Sequence, residues 1–215
     1  MIRMETFVVG PLDANCYFVF DAVQKVALVI DPGGESEALC RRIERFGAQY
    51  LKYILLTHGH FDHIGYAAAL HEKYNAPIVI SEEDAALTEN EDLNLSKYFG
   101  VPMKPFKPDM VLFDGAELPF GQKKIRAIMT PGHTRGSCCY LIDESLFTGD
   151  TLMKGCIGRL DFPTGDRQQM QDSLNRLKHL VGDYHIYCGH GAPTTLERER
   201  CTNVYMGNYI YDDLC

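Results

Sequence analysis

Between positions 58 and 63 the chain places three histidines and one aspartate, in the order His58-Gly59-His60-Phe61-Asp62-His63. Imidazole and carboxylate are the side chains that hold zinc and related divalent ions. In an extended backbone, side chains alternate with period two, so His58, His60 and Asp62 point the same way. A helix would instead pair His58 with Asp62 and His60 with His63 on separate faces. The extended reading aims the donors into one cleft, with His63 carried off by a turn into a helix. A single histidine here would be ordinary surface or core. Ligand-type side chains at this spacing, directly behind an apolar run, favour a metal site.

Three later stretches each add one donor behind a glycine: Pro131-Gly132-His133-Thr134, Thr148-Gly149-Asp150-Thr151 and Cys188-Gly189-His190-Gly191. Glycine lets the backbone turn sharply and approach an ion closely. Each triplet alone is a common turn. Together with the first motif they give His58, His60, Asp62, His63, His133, Asp150 and His190. That set is too large for one tetrahedral zinc. It suits two divalent ions sharing a bridging carboxylate and a bridging solvent.

The elements that must position these donors are strands ending just before them. Tyr53 to Leu56 is a short apolar run with an aromatic residue and predicts a buried strand, with a helix following over Ile64 to Tyr74. Upstream, Glu5 to Val9, Cys16 to Asp21 and Lys25 to Ile30 predict a meander, closed by Asp31-Pro32-Gly33-Gly34. Ser36 to Phe46 predicts an amphipathic helix with Leu39, Ile43 and Phe46 on one face. Downstream, strands are expected at Pro77 to Ile80, Val111 to Phe113, Lys124 to Met129, Ser137 to Ile142, Ser145 to Thr148 and Tyr184 to Cys188. Helices are expected at Arg167 to Leu180 and Leu196 to about Asn203. The acidic, then proline-rich stretch from Ser81 to Asp109 predicts short helices and an irregular loop that could rim a cleft, its charges forming a solvated face. Strands and helices occur twice in similar order, without a sequence repeat. That pattern predicts an α/β fold, two sheets stacked face to face with helices outside, in one domain spanning residues 1–215.

At 215 residues the chain can bury a substantial core. No run approaches the ~20 apolar residues of a membrane span. The N-terminal Met1-Ile2-Arg3-Met4-Glu5 lacks the apolar core of a signal peptide, so a cytoplasmic location and no membrane partner are expected. A net charge of −8 argues against nonspecific nucleic-acid binding. The eight cysteines show no C-x-x-C pair, which predicts reduced, mostly buried thiols; Cys156 stands out because it lies in a glycine-rich loop near the proposed site.

The H-x-H-x-D-H motif with His, Asp and His downstream resembles the metallo-β-lactamase superfamily. Within it, Asn15-x-Tyr17, Asp31-Pro32-Gly33, Thr57-His58-Gly59-His60, Pro131-Gly132-His133-Thr134, Phe147 to Leu152 and Gly189-His190-Gly191 are similar to glyoxalase II, the hydroxyacylglutathione hydrolases. The resemblance implies an αββα sandwich of two mixed β-sheets with external helices. It implies His58, His60 and His133 on one ion, Asp62, His63 and His190 on a second, and Asp150 bridging. Asp62 and Asp150 would serve catalysis directly. An Asp at the bridge, in place of a cysteine at the second site, points away from antibiotic-hydrolysing β-lactamases. The implied activity is hydrolysis of a small-molecule thioester of the hydroxyacylglutathione type by a metal-bridging hydroxide, at a site left near +1 once Asp62, Asp150 and hydroxide offset two divalent ions. Zinc is the expected metal, with iron or manganese as alternatives. Gly158-Arg159-x-Asp161 and the Gly189 to Leu196 ending resemble the short bacterial-type glyoxalase II-like proteins, which lack the extra helical segment that helps hold glutathione.

Arg159 corresponds to a basic residue of that family touching the thiol's peptide part, or is paired with Asp161 or Asp166; Tyr140 and Lys154 are weaker substrate-contact candidates, and packing in the sheet is the favoured reading of Tyr140. Asp31 is a candidate to orient a ligand histidine. Rival readings are a mononuclear-iron persulfide dioxygenase using His58, His133 and Asp150, a lactonase or phosphodiesterase of the same superfamily, and a zinc-stabilised binding module. Structural zinc sites are closed with four ligands, so the larger donor set favours catalysis.

Overall fold

The computed structural model describes residues 2–207. Twelve strands form two six-stranded mixed sheets. The first contains β1 (Arg3–Val9), β2 (Ala14–Asp21), β3 (Val26–Ile30), β4 (Leu51–Leu55), β5 (Ile78–Ser81) and β6 (Met110–Leu112), in that order across the sheet. β1 to β3 pair antiparallel; β3 to β6 run parallel. The second runs β12 (Thr194–Thr195), β11 (His185–Cys188), β10 (Ser145–Gly149), β9 (Cys138–Ile142), β8 (Lys123–Met129) and β7 (Glu117–Phe120). Here only β10 and β11 are parallel neighbours; because β9 opposes both β8 and β10, those two run the same way.

Strand alternation sorts the side chains into three apolar layers. Tyr17, Val19, Leu28, Ile30 and Leu55 of the first sheet meet Leu118, Ile125, Ala127, Tyr140 and Phe147 of the second. The opposite face of the first sheet, including Phe18, Phe20, Val29 and Ile54, packs on α1 (Glu37–Phe46) and α3 (Ala67–Tyr74). Ile128, Cys139, Leu146 and Ile186 on the outer face of the second sheet receive Met170, Leu174 and Leu177 of α5 (Arg167–Lys178) and Leu196 of α6 (Leu196–Thr202). The result is the expected αββα sandwich. Each fully buried Leu, Ile or Phe in these layers contributes roughly 1.5–3 kcal/mol.

The helix after the first motif differs from expectation. It opens at Phe61 as the single turn α2 (Phe61–Ile64), breaks at Gly65-Tyr66, and resumes as α3. Asp62 therefore projects from a helical turn and does not continue the extended alternation of His58 and His60. Between Ser81 and Asp109, after a 3-10 helix (Glu82–Glu89), comes the short α4 (Ser96–Phe99), and the segment does line the cleft through Leu95 and Phe99. β7 and β12 are strands that the sequence pattern did not mark. β7 contains Pro119, which lacks an amide donor and is tolerated because this strand is the edge of its sheet.

Candidate metal centre

All the donor loops leave the C-terminal ends of strands running the same way within their sheets. β4 ends just before Thr57-His58, β8 before His133, β10 at Gly149-Asp150 and β11 at Cys188-Gly189-His190. Backbone bonds then join the two sheets at this rim: Cys138 N–H donates to the Thr57 carbonyl (2.8 Å) and Asn15 N–H to the Gly189 carbonyl (2.7 Å). Asn15 Nδ2 donates to the carbonyls of Cys188 (3.0 Å) and Gly191 (2.9 Å), and the Tyr17 hydroxyl to Cys188 O (2.6 Å), fixing the His190 turn from the opposite sheet. At Gly189 a Cβ would lie 2.0 Å from Asp150 Oδ1 and 2.7 Å from His63 Cε1, so only glycine fits.

The donors converge. His58, His60 and His133 form one group, Asp62, His63 and His190 another, and His58, His63 and Asp150 a third that overlaps the first two; within each, the ligand atoms lie within 4.8 Å of one another. Asp150 sits between the triads. Its Oδ1 is 3.5 Å from His63 Nε2, while Oδ2 is 3.5 Å from His133 Nε2 and 3.7 Å from His190 Nε2. His190, the most exposed of the set, closes the cluster 3.2 Å from Asp62 Oδ2.

Neighbouring groups fix the imidazole tautomers. The Thr57 hydroxyl donates to Asp31 Oδ2 (2.6 Å) and so accepts from His58 Nδ1 (3.1 Å), which turns the lone pair on His58 Nε2 inward. His63 Nδ1 donates to the same Asp31 oxygen (3.0 Å). His133 Nδ1 donates to the Arg159 carbonyl (2.7 Å), leaving Nε2 as an acceptor 2.9 Å from His60 Nδ1. Asp31, expected as a possible orienting group, thus serves two ligands and also accepts from Thr57 N–H (2.7 Å). It does so in the left-handed region (φ 51°), a conformation that Asp tolerates better than most residues.

One orienting carboxylate had no sequence signal. Asp84 lies in the acidic run Glu82-Glu83-Asp84, yet it is fully buried. Its Oδ2 accepts from Gly59 N–H (2.8 Å) and the Thr134 hydroxyl (2.6 Å), and its Oδ1 from Gly136 N–H (2.8 Å). It therefore ties the loop of His58 and His60 to the loop of His133.

Electrostatics match a cation-seeking cluster. Burial, reinforced by the surrounding imidazoles, pushes His58 and His60 well below the ordinary histidine range. Burial also opposes charge on His63, but Asp62, Asp150 and Asp31 outweigh it and hold its pKa up at about 10. For Asp62, burial is overcome by His63, His190 and His60, which keep its carboxyl below the usual range. His58 Nε2, His60 Nε2 and Asp150 Oδ1 are buried with no hydrogen-bond partner among the described residues. Each such orphan costs of order 1–3 kcal/mol, a cost that a cation beside His58 Nε2 and Asp150 Oδ1 removes. The donor set fits a metal.

Two expected substrate contacts are not in the cleft. Tyr140 is fully buried between the sheets, its hydroxyl donating to the Leu56 carbonyl (2.8 Å), because strand alternation turns it inward. Lys154 is exposed on a turn and is absent from the cleft lining. Arg159 does line the cleft, paired with Asp161; Asp166 instead caps α5. Cys156 is half-buried and lies outside the lining, whereas Cys16, Cys40, Cys138, Cys139 and Cys188 are buried thiols. Burial pushes the Cys139 thiol up to about 12. Cys215 lies outside the described residues. Among the described residues no helix is long and apolar enough to cross a membrane.

Residues 9–190 match the profile of the Metallo-beta-lactamase superfamily. The chain is 35% identical over 212 residues to "Hydroxyacylglutathione hydrolase GloC" of Haemophilus influenzae, covering 96% of this chain and 99% of the relative. It is similar to the crystal structure of BLEG-1 B3 metallo-beta-lactamase, with a TM-score of 0.88, 32% identity and coverage of 95% of this chain and 99% of the other. It is also similar to that of TTHA1623 in a di-iron-bound form, with a TM-score of 0.82, 34% identity and coverage of 94% and 99%.

Proposed function

Because the chain belongs to the metallo-β-lactamase superfamily of metal-dependent hydrolases, we propose that it is a binuclear thioester hydrolase of the glyoxalase II type, acting on S-acyl thioesters of the hydroxyacylglutathione kind. The observation that carries this reading is the division of the donors into two triads with Asp150 between them. His58, His60 and His133 would hold one ion, and Asp62, His63 and His190 the other. Two divalent ions bound there supply Lewis acidity toward a thioester carbonyl and water acidic enough to attack at neutral pH.

The chain's own part is positioning and proton control. Asp150 keeps the triads in register. Asp62 stays ionised beside His63 and His190, so it can accept a hydrogen bond from the attacking water and orient it. Asp31, Thr57 and the Arg159 carbonyl hold His63, His58 and His133 with their lone pairs facing inward. No separate protein nucleophile is required.

A mononuclear-iron dioxygenase built on His58, His133 and Asp150 would leave Asp62, His63 and His190 without work, although they too converge. The test is hydrolysis by the metal-reconstituted protein of a panel of thioesters, lactones, phosphodiesters and a β-lactam, with metal counted in the same sample. Thioester hydrolysis should dominate and vanish in His58→Ala and Asp150→Ala, unrestored by added zinc. Full activity in both variants, a preference for another ester class, or oxygen uptake with a persulfide by a one-iron protein overturns the proposal. The absence of nucleic-acid and membrane partners and a cytoplasmic site of action remain part of the same reading, supported by the −8 charge and the apolar patterning.

A further inference from the structure

The cleft opening onto the donor cluster encloses about 330 Å³, at the small end of ligand pockets. Beyond the donors, its walls are mainly apolar: Leu12, Leu95, Phe99, Met153, Ile157 and Phe162. Arg159 is the single Lys or Arg in that lining among the described residues. Its guanidinium is already engaged on two sides. It donates to Asp161 in a fork, Nε to Oδ1 at 2.9 Å and Nη2 to Oδ2 at 2.6 Å, and it lies over the Phe162 ring at 4.4 Å. An outer recess shares Leu95, Arg159 and Phe162 and adds one more cation, Lys97, whose Nζ is 2.8 Å from Asp92. Each cation at the mouth is therefore matched by an aspartate, on a chain of net charge −8.

The geometry points to a substrate whose acyl group is uncharged and apolar, a medium-length aliphatic or aromatic acyl thioester, with Asp161 as the specificity residue that keeps Arg159 from recruiting anionic acyl groups. This rests on the thioesterase reading and, within it, favours an apolar acyl group over a hydroxyacyl one. An acyl carboxylate placed against the apolar walls, away from the donors, would give up hydration, and the one cationic side chain in the lining is forked to Asp161. A methylene placed there leaves water for apolar contact.

The test uses the metal-loaded protein and acyl thioesters of one neutral thiol, N-acetylcysteamine. Across acetyl, butanoyl and hexanoyl, kcat/KM should rise roughly three- to fourfold per methylene until the cleft is filled. The decisive pair is 4-methylpentanoyl and succinyl, alike in shape but differing in charge. The neutral thioester should win at least ~tenfold, since an unpaired charge is costly to desolvate. Asp161→Asn should shrink that ratio about tenfold, through KM for the succinyl thioester, by freeing the guanidinium fork. Adding Arg159→Gln to Asp161→Asn should restore the original ratio; both positions are exposed, so the variants should fold. Equal or better turnover of the succinyl thioester, or an unchanged ratio in Asp161→Asn, overturns this inference and leaves the thioesterase reading standing. If none of the thioesters is hydrolysed, the thioesterase reading falls and takes this one with it.

Discussion

One oxygen of the Asp84 carboxylate is shared by Gly59 and Thr134, the first between two ligand histidines and the second beside another. Through that oxygen a residue that touches no donor sets the distance between two ligand loops drawn from opposite sheets. In Asp84→Asn the amide would turn an N–H toward at least one N–H or O–H donor. Affinity at the His58, His60 and His133 triad should drop roughly 10- to 100-fold, while the Asp62, His63 and His190 triad keeps its ion. Competition with a chromogenic chelator, counted per site, measures this.

Gly189 allows Asp150 and His63 to meet. In Gly189→Ala the new methyl would sit inside contact distance of both. The expected outcome is a folded protein that retains about one ion or fewer per chain, read by elemental analysis after gel filtration. Two tightly held ions in this variant would contradict the account of the site.

Protonation of the metal-stripped protein gives a pH signature. His63 is raised from 6.5 to about 10, so its stabilising contribution is complete below ~6.5 and is lost as pH rises through ~10. Asp62 is depressed, so its contribution is present above the ordinary carboxylate range and is lost only in strong acid. Melting temperature in chelator should therefore fall steadily from pH 6.5 to 10. Zinc affinity should rise over the same interval, because binding expels the His63 proton. A flat melting curve across that range would refute the assignment.

Tyr140 offers a contrast between packing and binding. Tyr140→Phe removes one buried hydrogen bond to the Leu56 carbonyl, a loss of about 1 kcal/mol. KM for any thioester should stay the same. Chemical denaturation and steady-state kinetics on the same preparation separate the two effects.

The donors were legible in the sequence because each follows an apolar strand and most sit behind glycine, so strand ends and turn chemistry reported the same rim. The two-layer architecture was legible for a related reason: Tyr17, Val19, Leu28 and Ile30 alternate with Phe18, Phe20, Ala27 and Val29 in apolar runs covered on both faces. Asp84 was hidden because an acidic run normally reads as solvated. What turns it inward is the Ser81 cap on the following 3-10 helix, a tertiary fact. The start of α2 at Phe61 was missed because period-two spacing of His58, His60 and Asp62 fits an extended chain equally well. Tyr140 packs in the sheet, the reading that its place in an apolar strand favoured, whereas the exposed turn that carries Lys154 away from the cleft lining is not revealed by residue type.

Each triad takes two ligands from the first sheet and one from the second: His58 and His60 with His133, and Asp62 and His63 with His190. Neither half of the chain completes either triad alone. Ions held there would act as clasps across the seam of the sandwich, so binding free energy would become cohesion between its halves. During synthesis His58 and His60 have no third partner until the loop carrying His133 is made, and Asp62 and His63 none until His190 follows. Metal capture is thereby a late event in maturation, and a cell short of metal would accumulate chains whose halves are assembled but not fastened.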